Sequence, residues 1–298
     1  YCTYGDGWGF EPRTERKLSL GLSRVSGEPP QLSGCNIRTS DLERTGQGPD
    51  GAKASGMLMV DGRLYALIRN VDHSQLTWSD DRGLTWQWAA WKWTTSFGCP
   101  TFLNYGPNYA GAIDEFVYVY SPDSASAYRA ADQMVLARVD RQQVASRDAY
   151  RYYAGVADDG SPRWSPDIGQ RRAVFRHDKR CYRSGITYHP GLARFIWCQT
   201  LPESSDERGP RFQGGFGVYE SKFPWGPWRT VYYTTDWDVG PGESSRFPTK
   251  WMSADGQRMA LLFSGNDSFS VRTATILPPN PGHPKPGPCP APNPGHAP

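Results

Sequence analysis

The feature that most constrains this chain is a recurring pair of apolar segments with two-residue alternation. The first of each pair ends in a turn and the second closes on a polar cluster. Four copies are visible: SGMLMVDG then RLYALIRN, FGCPTFLNY then DEFVYVYSPD, RSGITYHPG then LARFIWCQT, and FPTKWMSADG then RMALLFSGND. That alternation puts successive side chains on opposite faces of a strand, so each pair reads as two neighbouring strands of one sheet. Further strands follow each copy, among them QLTWSDD and LTWQWA, MVLARVD and DAYRYYAG, FGVYESKF and WRTVYYT. The opening YCTYGDGWGF and LSLGLSRVSG read as the second and third strands of a fifth unit, whose innermost strand is expected from the other end of the chain. Repeated four-stranded sheets predict an all-β fold, a five-bladed β-propeller over residues 1–277. The 32 Gly and 26 Pro suit short strands joined by tight turns.

Beyond Leu277 the pattern stops. Residues 278–298 are Pro- and Gly-rich, and Pro279-Asn280-Pro281-Gly282-His283 recurs as Pro292-Asn293-Pro294-Gly295-His296. Such a segment lacks the amide donors for a sheet and the side chains for a core, so it is expected to be an extended polyproline II tail. It reads either as a linker or as an arm for self-association, in which Cys289 could bridge to another chain.

The six cysteines show neither a CxxC pair nor metal-ligand spacing with the five histidines, so no cofactor is expected, and only a structural calcium is left open. Cys181 and Cys198 flank a predicted hairpin, and Cys2 and Cys35 lie in the first strand group; both pairs are disulfide candidates. That usage suits a secreted, extracellular or periplasmic protein, with six reduced cytosolic thiols as the alternative, and Tyr1 rather than Met at the start reads as a mature or trimmed product. A net charge of +3 without a Lys/Arg block argues against nucleic acid, and no apolar run argues for membrane insertion.

Ser79-Asp80-Asp81-Arg82-Gly83-Leu84-Thr85-Trp86 matches S-x-D-x-G-x-T-W, the Asp-box of sialidase-type propellers. Its physics is that of a hairpin: Asp81 accepts turn amides, Gly83 tolerates positive φ and Trp86 packs back. Trp225-Gly226-Pro227-Trp228 is similar to the blade hairpin of five-bladed glycosidases such as arabinanases. Together with GDGWGF, DGRLY, FGCPTFLNYGPNY and FSGNDSFSVR, these segments resemble a mostly uncharacterised bacterial family of five-bladed propeller domains, some of whose relatives are endo-D-arabinanases. The resemblance covers nearly all of residues 1–276 and implies fold more sharply than activity. No FRIP-type motif is present, which argues against sialic acid hydrolysis.

In a propeller the starts of innermost strands and the ends of second strands converge on one face. The polar residues expected there are Asp6, Arg69, Asn70, Asp72, Asp123, Asn266 and Asp267 from second strands, and Lys53, Arg183, Arg246 and Lys250 from innermost ones. Trp8, Phe97, Tyr188 and Trp251 are candidates to stack on sugar rings. Glycoside hydrolysis needs one protonated and one ionised carboxyl group about 5–9.5 Å apart. Asp6, between Gly5 and Gly7, is the leading ionised candidate, with an Asx-turn as its alternative role. Asp267 and Asp72 are candidates for the partner, and Glu220 for a general acid. Lys53, Arg69, Asn70, Arg183, Tyr188, Lys250 and Trp8 are the expected substrate-binding residues. Polysaccharide or another glycan is the expected partner. Two other readings stay open: a lyase with Tyr188 or His189 as base beside Arg183, and a non-catalytic propeller that binds glycan or assembles through its tail.

Overall fold

A computed structural model of the chain describes residues 1–202, 214–235 and 244–277. The tail at 278–298, with its repeat and Cys289, lies outside the described residues. Among those described there is no α-helix; twenty strands are joined by turns and short 3-10 segments, and no helix is long and apolar enough to cross a membrane.

The strands form successive antiparallel meanders. The first is β1 (Cys2–Tyr4), β2 (Gly21–Glu28) and β3 (Gln31–Ile37). The second is β4 (Lys53–Val60), β5 (Arg63–Arg69), β6 (Ser74–Ser79) and β7 (Gln87–Trp93). The third runs β8 (Thr101–Asn104), β9 (Phe116–Pro122), β10 (Ala131–Asp140), β11 (Arg151–Val156) and β12 (Pro162–Ser165), with β13 (Ala173–Cys181) also paired to β10. The fourth is β14 (Ser184–His189), β15 (Arg194–Pro202), β16 (Gly214–Ser221) and β17 (Arg229–Thr234), and the last is β18 (Ser245–Arg246), β19 (Arg258–Phe263) and β20 (Ser270–Thr275). The first strands of the third and fourth meanders, β8 and β14, pair in parallel with Ile186 opposite Leu103.

Side-chain alternation explains why the meanders stack on one another. In β5, Leu64, Ala66 and Ile68 bury against Leu20, Leu22 and Leu42 around the first sheet, while Tyr65 and Leu67 point into the main core shared with the third and fourth sheets. In β15, Phe195 and Trp197 enter that same core, and Ile196 and Cys198 pack against Phe247, Met259, Leu261 and Phe263 of the last sheet. A strand buried on both faces needs a near-continuous apolar run, which RLYALIRN and LARFIWCQT supply. The last meander returns to the first: the Trp251 indole donates to Gly27 O at 3.1 Å, and the Phe10 and Phe269 rings meet at 5.4 Å. Each sheet thus packs on the next, and the packing closes on itself.

Two strand expectations change. FPTKWMSADG does not form an innermost strand; pairing in the last meander ends at Arg246, and residues Thr249–Trp251 form a 3-10 turn. Pro248 has no N–H to give a ladder and its fixed φ of −63° starts the turn instead. No strand from the C-terminal side pairs with β1, which is the edge strand of its sheet among the described residues.

The expected disulfides are absent. Cys198 is a buried free thiol opposite Gly185, whereas Cys181 lies opposite Ala131 on another strand pair. Cys2 and Cys35 are also free, with β2 running between their strands. Burial pushes the Cys198 thiol well above its usual range, so it behaves as a small apolar core group.

The Ser79–Trp86 segment closes the β6–β7 hairpin. Asp81 Oδ1 accepts from Leu84 N at 3.1 Å, Thr85 N at 2.9 Å and Ser79 Oγ at 2.8 Å, and Oδ2 accepts from the Thr85 hydroxyl at 2.7 Å. Arg82 and Gly83 carry the positive φ values of the turn, and Trp86 Nε1 donates to Gly83 O at 3.0 Å. These bonds, that from the Thr85 hydroxyl foremost, hold the Asp81 carboxyl at about 2 against an ordinary 3.8. A carboxyl depressed by folding stabilises above its unfolded value and loses that contribution as pH falls through the folded one. The melting-temperature gap between the parent and Asp81→Ala is therefore expected to be full above about pH 4 and to close towards pH 2; a gap that stays constant over that range would show that the carboxylate charge is irrelevant to the turn.

Candidate functional site

Strands β4, β8 and β14 run in the same direction, so Lys53, Thr101 and Ser184 mark one common edge. Ser55 Oγ donates to Pro100 O at 2.6 Å between β4 and the approach to β8, which aligns the first two starts. The second strands end on that edge: Arg69 lies opposite Lys53, Phe263 opposite Ser245 and Gln199 opposite Ser184.

Asp6, beyond the end of β1, reaches this edge. Its Oδ1 lies 3.1 Å from Lys53 Nζ; the lysine side chain is 4% exposed and the carboxylate 26%. Gly5 makes the approach possible, since a Cβ there would stand 3.0 Å from Ser19 O and 3.4 Å from the Lys53 methylenes. The same ammonium donates to Gly48 O at 2.8 Å, so a buried cation has both an ionic and a hydrogen-bonding partner. Asn70, with φ of 61°, donates to Gly51 O at 2.9 Å, to Gly48 O at 3.2 Å and to Tyr128 Oη at 3.3 Å.

Tyr128 ties the second meander to the fourth. The Arg69 guanidinium lies 5.3 Å from its ring and that of Arg183 4.8 Å, within cation–π range. Arg183 also donates through Nε and Nη2 to Ala127 O at 3.0 and 2.7 Å. Asp6, Lys53, Arg69, Asn70 and Arg183 are therefore brought into one constellation, in which the three cations are buried and the carboxylate keeps solvent access.

Asp72 and Asp267 stand on the same edge, just past β5 and β19. Both are exposed and hold positive φ (62° and 60°), a conformation Asp and Asn tolerate better than other side chains. Trp8 sits two residues beyond Asp6 with its side chain in solvent. Asp123, past β9, is engaged otherwise: burial opposes its charge, but bonds from Gln133 and Arg171 hold the carboxyl below the usual range. It borders a shallow polar cleft of about 460 Å³ that is also lined by Arg129, Asp132, Gln133 and Arg176.

Four candidate site residues lie elsewhere. Glu220 is opposite Ile196, near the start of β15 and so at the far end of the fourth meander, held by Arg194 Nε at 3.0 Å and Arg229 Nε at 2.7 Å. Tyr188 packs in the core against Tyr105 and Phe195, at 5.3 and 5.1 Å. It is five residues from Arg183 along an extended strand, roughly 16 Å. His189 is buried beside it, with Nδ1 accepting from Leu192 N at 3.2 Å and burial holding the imidazole below its usual range. Neither can take a proton beside Arg183, so the lyase arrangement is not formed. Lys250 reaches the β2–β3 end instead, donating to Val25 O at 3.2 Å. Among the described residues no group of three or more His, Cys, Asp or Glu side chains is placed to hold a metal.

Tyr128 and the Gly48 and Gly51 carbonyls are part of the constellation without having been anticipated. Tyr128 belongs to the irregular segment SPDSASAYRA, which carries no periodicity from which a position could be read.

No family model matches the chain, and no curated protein matches it. Among solved structures, the GH43_1 enzyme from Xanthomonas citri complexed with xylose is similar, at 12% identity and a TM-score of 0.47, over 88% of this chain and 79% of that one. RS223 β-xylosidase gives 12% identity and a TM-score of 0.47 over 88% and 81%. A nidogen/laminin complex gives 10% identity and a TM-score of 0.42 over 85% and 70%.

The chemistry of the constellation follows from its geometry. One carboxylate is fixed in place by an ammonium that cannot move away, because Gly48 O holds it from the other side. Around them the buried Arg69 and Arg183 guanidinium groups make the edge electropositive, and two residues beyond Asp6 an exposed indole offers a flat apolar face.

Proposed function

We propose that the chain is a secreted, carbohydrate-active five-bladed propeller that hydrolyses glycosidic bonds of a polysaccharide at the Asp6 edge. The observation that carries this reading is the Asp6–Lys53 pair: a partly exposed carboxylate anchored on a buried ammonium, where strand ends of separate sheets converge. In hydrolysis Asp6 is the ionised member, attacking the anomeric carbon or taking a proton from the attacking water. Asp267 and Asp72, past the ends of β19 and β5 on the same edge, are the candidates for the second carboxyl, which assists the leaving glycosidic oxygen. Lys53 holds Asp6 in position, Asn70 fixes the Gly48–Gly51 turn behind that lysine, the buried Arg69 and Arg183 keep the edge electropositive, and Trp8 stacks on a neighbouring ring.

The test is a panel of arabinans, xylans, uronans and cell-wall extracts, assayed for new reducing ends. Release from at least one polymer is expected, and release from none would sink the hydrolase reading; retention on a polymer without release would leave a glycan-binding protein. Glu220→Gln is expected to keep full activity, since its carboxylate only joins Arg194 and Arg229 at the opposite strand end. A large loss of kcat in that variant would put the chemistry on the other face.

A further inference from the structure

We propose that Trp8 and the Phe10–Phe269 pair form a preordered shelf that binds consecutive sugar rings of a long glycan chain leading away from Asp6, and that Asn36 is the positioning residue of this shelf. The inference rests on the glycan-directed reading of the Asp6 edge and names the form of substrate that edge takes: an extended polymer rather than a short oligosaccharide.

The connection from β1 to β2, residues 5–20, carries Asp6, Trp8 and Phe10. A loop of this length would ordinarily be costly to hold in one shape, yet its backbone is pinned by Asn36 from β3 and by the Thr14 hydroxyl, which donates to Arg16 O at 2.8 Å and Trp8 O at 3.3 Å. Asn36 of β3 places Nδ2 at 3.1 Å from Trp8 O, 2.8 Å from Phe10 O and 3.0 Å from Pro12 O, so three carbonyls share its two protons. Its Oδ1 accepts from Phe10 N at 3.0 Å and Ser23 Oγ at 2.9 Å. The chain passes so close that a Cβ on Gly9 would stand 2.0 Å from that oxygen. Thr14 N adds a bond to Trp8 O at 3.1 Å, and Gly7 and Leu18 exchange backbone bonds at 3.1 and 2.9 Å.

All of this order serves a segment whose aromatic side chains are not buried. The Trp8 side chain is 46% exposed with Lys17 Nζ 5.8 Å from its ring centre, and Phe269 is 39% exposed where it meets Phe10. Large apolar faces held rigidly in water are the informative exception to burial. Phe269 lies two residues after Asp267, so the aromatic surface continues from the Asp6 loop to the loop that carries a second candidate carboxyl. Sugar rings present C–H faces to such aromatics and hydroxyl edges to the flanking lysine and carboxylates. A shelf already ordered before binding loses little side-chain freedom when the chain lands on it.

The experiment begins with affinity electrophoresis of the whole chain through gels containing linear arabinan, xylan or polygalacturonan. Calorimetry then uses size-fractionated fragments of whichever polymer retards the protein. Parent affinity is expected to rise with fragment length over several sugars. Trp8→Ala and Asn36→Ala are expected to lose about tenfold on long fragments and to flatten the length dependence. Trp8→Ala removes a solvent-exposed ring and so keeps the parent melting temperature, which separates loss of the shelf from loss of fold. Parent affinity independent of length, or a Trp8→Ala variant with the parent's length dependence, overturns the shelf and leaves the glycan reading standing. Failure of every polymer to retard the parent or to yield product overturns both.

Discussion

Asp6→Asn is expected to lower the rate of sugar release by about 10²–10⁴-fold, because an amide can neither attack the anomeric carbon nor accept the proton of an attacking water. The fold should survive, since Asn keeps an oxygen within reach of Lys53 Nζ and Gly48 O still accepts from that ammonium. Lys53 does lose its counter-charge while only 4% exposed, which is expected to cost about 1–2 kcal/mol rather than nothing. Activity on the responsive polymer and melting temperature, measured side by side, check both parts. Unchanged kcat in a folded Asp6→Asn protein would remove Asp6 from the mechanism. Loss of the fold itself would show that the pair is structural, and Lys53→Met combined with Asp6→Asn would then recover stability without recovering activity.

Trp86→Ala carries the largest expected effect on stability, about 3–5 kcal/mol. The indole is 6% exposed and fills the space between the first and second sheets, among Leu20, Leu22, Leu42, Leu64, Ala66 and Ile68. Truncation leaves a void that those aliphatic side chains can only partly close, and it strands Gly83 O without its indole donor. For a chain of this size the melting temperature should fall by about 6–20 °C. Trp86→Phe keeps most of the apolar volume and loses the N–H, so its cost should be nearer 1 kcal/mol. Equal and near-neutral shifts for both would mean that the ring does not hold the two sheets together.

Burial periodicity made most of the fold legible in advance. RLYALIRN and LARFIWCQT could be read as two-sided strands because every second residue must satisfy one neighbouring sheet and the residues between must satisfy the other. The same reading overran at FPTKWMSADG, where apolar content suggested a strand and Pro248 ended it. The site was legible only where its residues flank strong strands: Lys53, Arg69, Asn70 and Arg183 stand at strand ends, and Asp6 is set off by two glycines. Glu220 also stands at a strand end, yet its strand is the third of its meander and runs the other way, so that end belongs to the opposite edge.

The amino-acid pattern by itself determined that strands alternate, where they turn and which of them are buried on both faces, because those properties depend on neighbours along the chain. Only the tertiary structure decided that Asp6 meets Lys53, that one tyrosine lies against both Arg69 and Arg183, that Cys2 is not bridged to Cys35 nor Cys181 to Cys198, and that Asn36 underpins the Trp8 loop. Those contacts join residues from 28 positions apart, for Asn36 and Trp8, to 59, for Arg69 and Tyr128. Nothing in a local propensity sets such a pairing; it arises when sheets with apolar faces stack and carry their loops to a common edge.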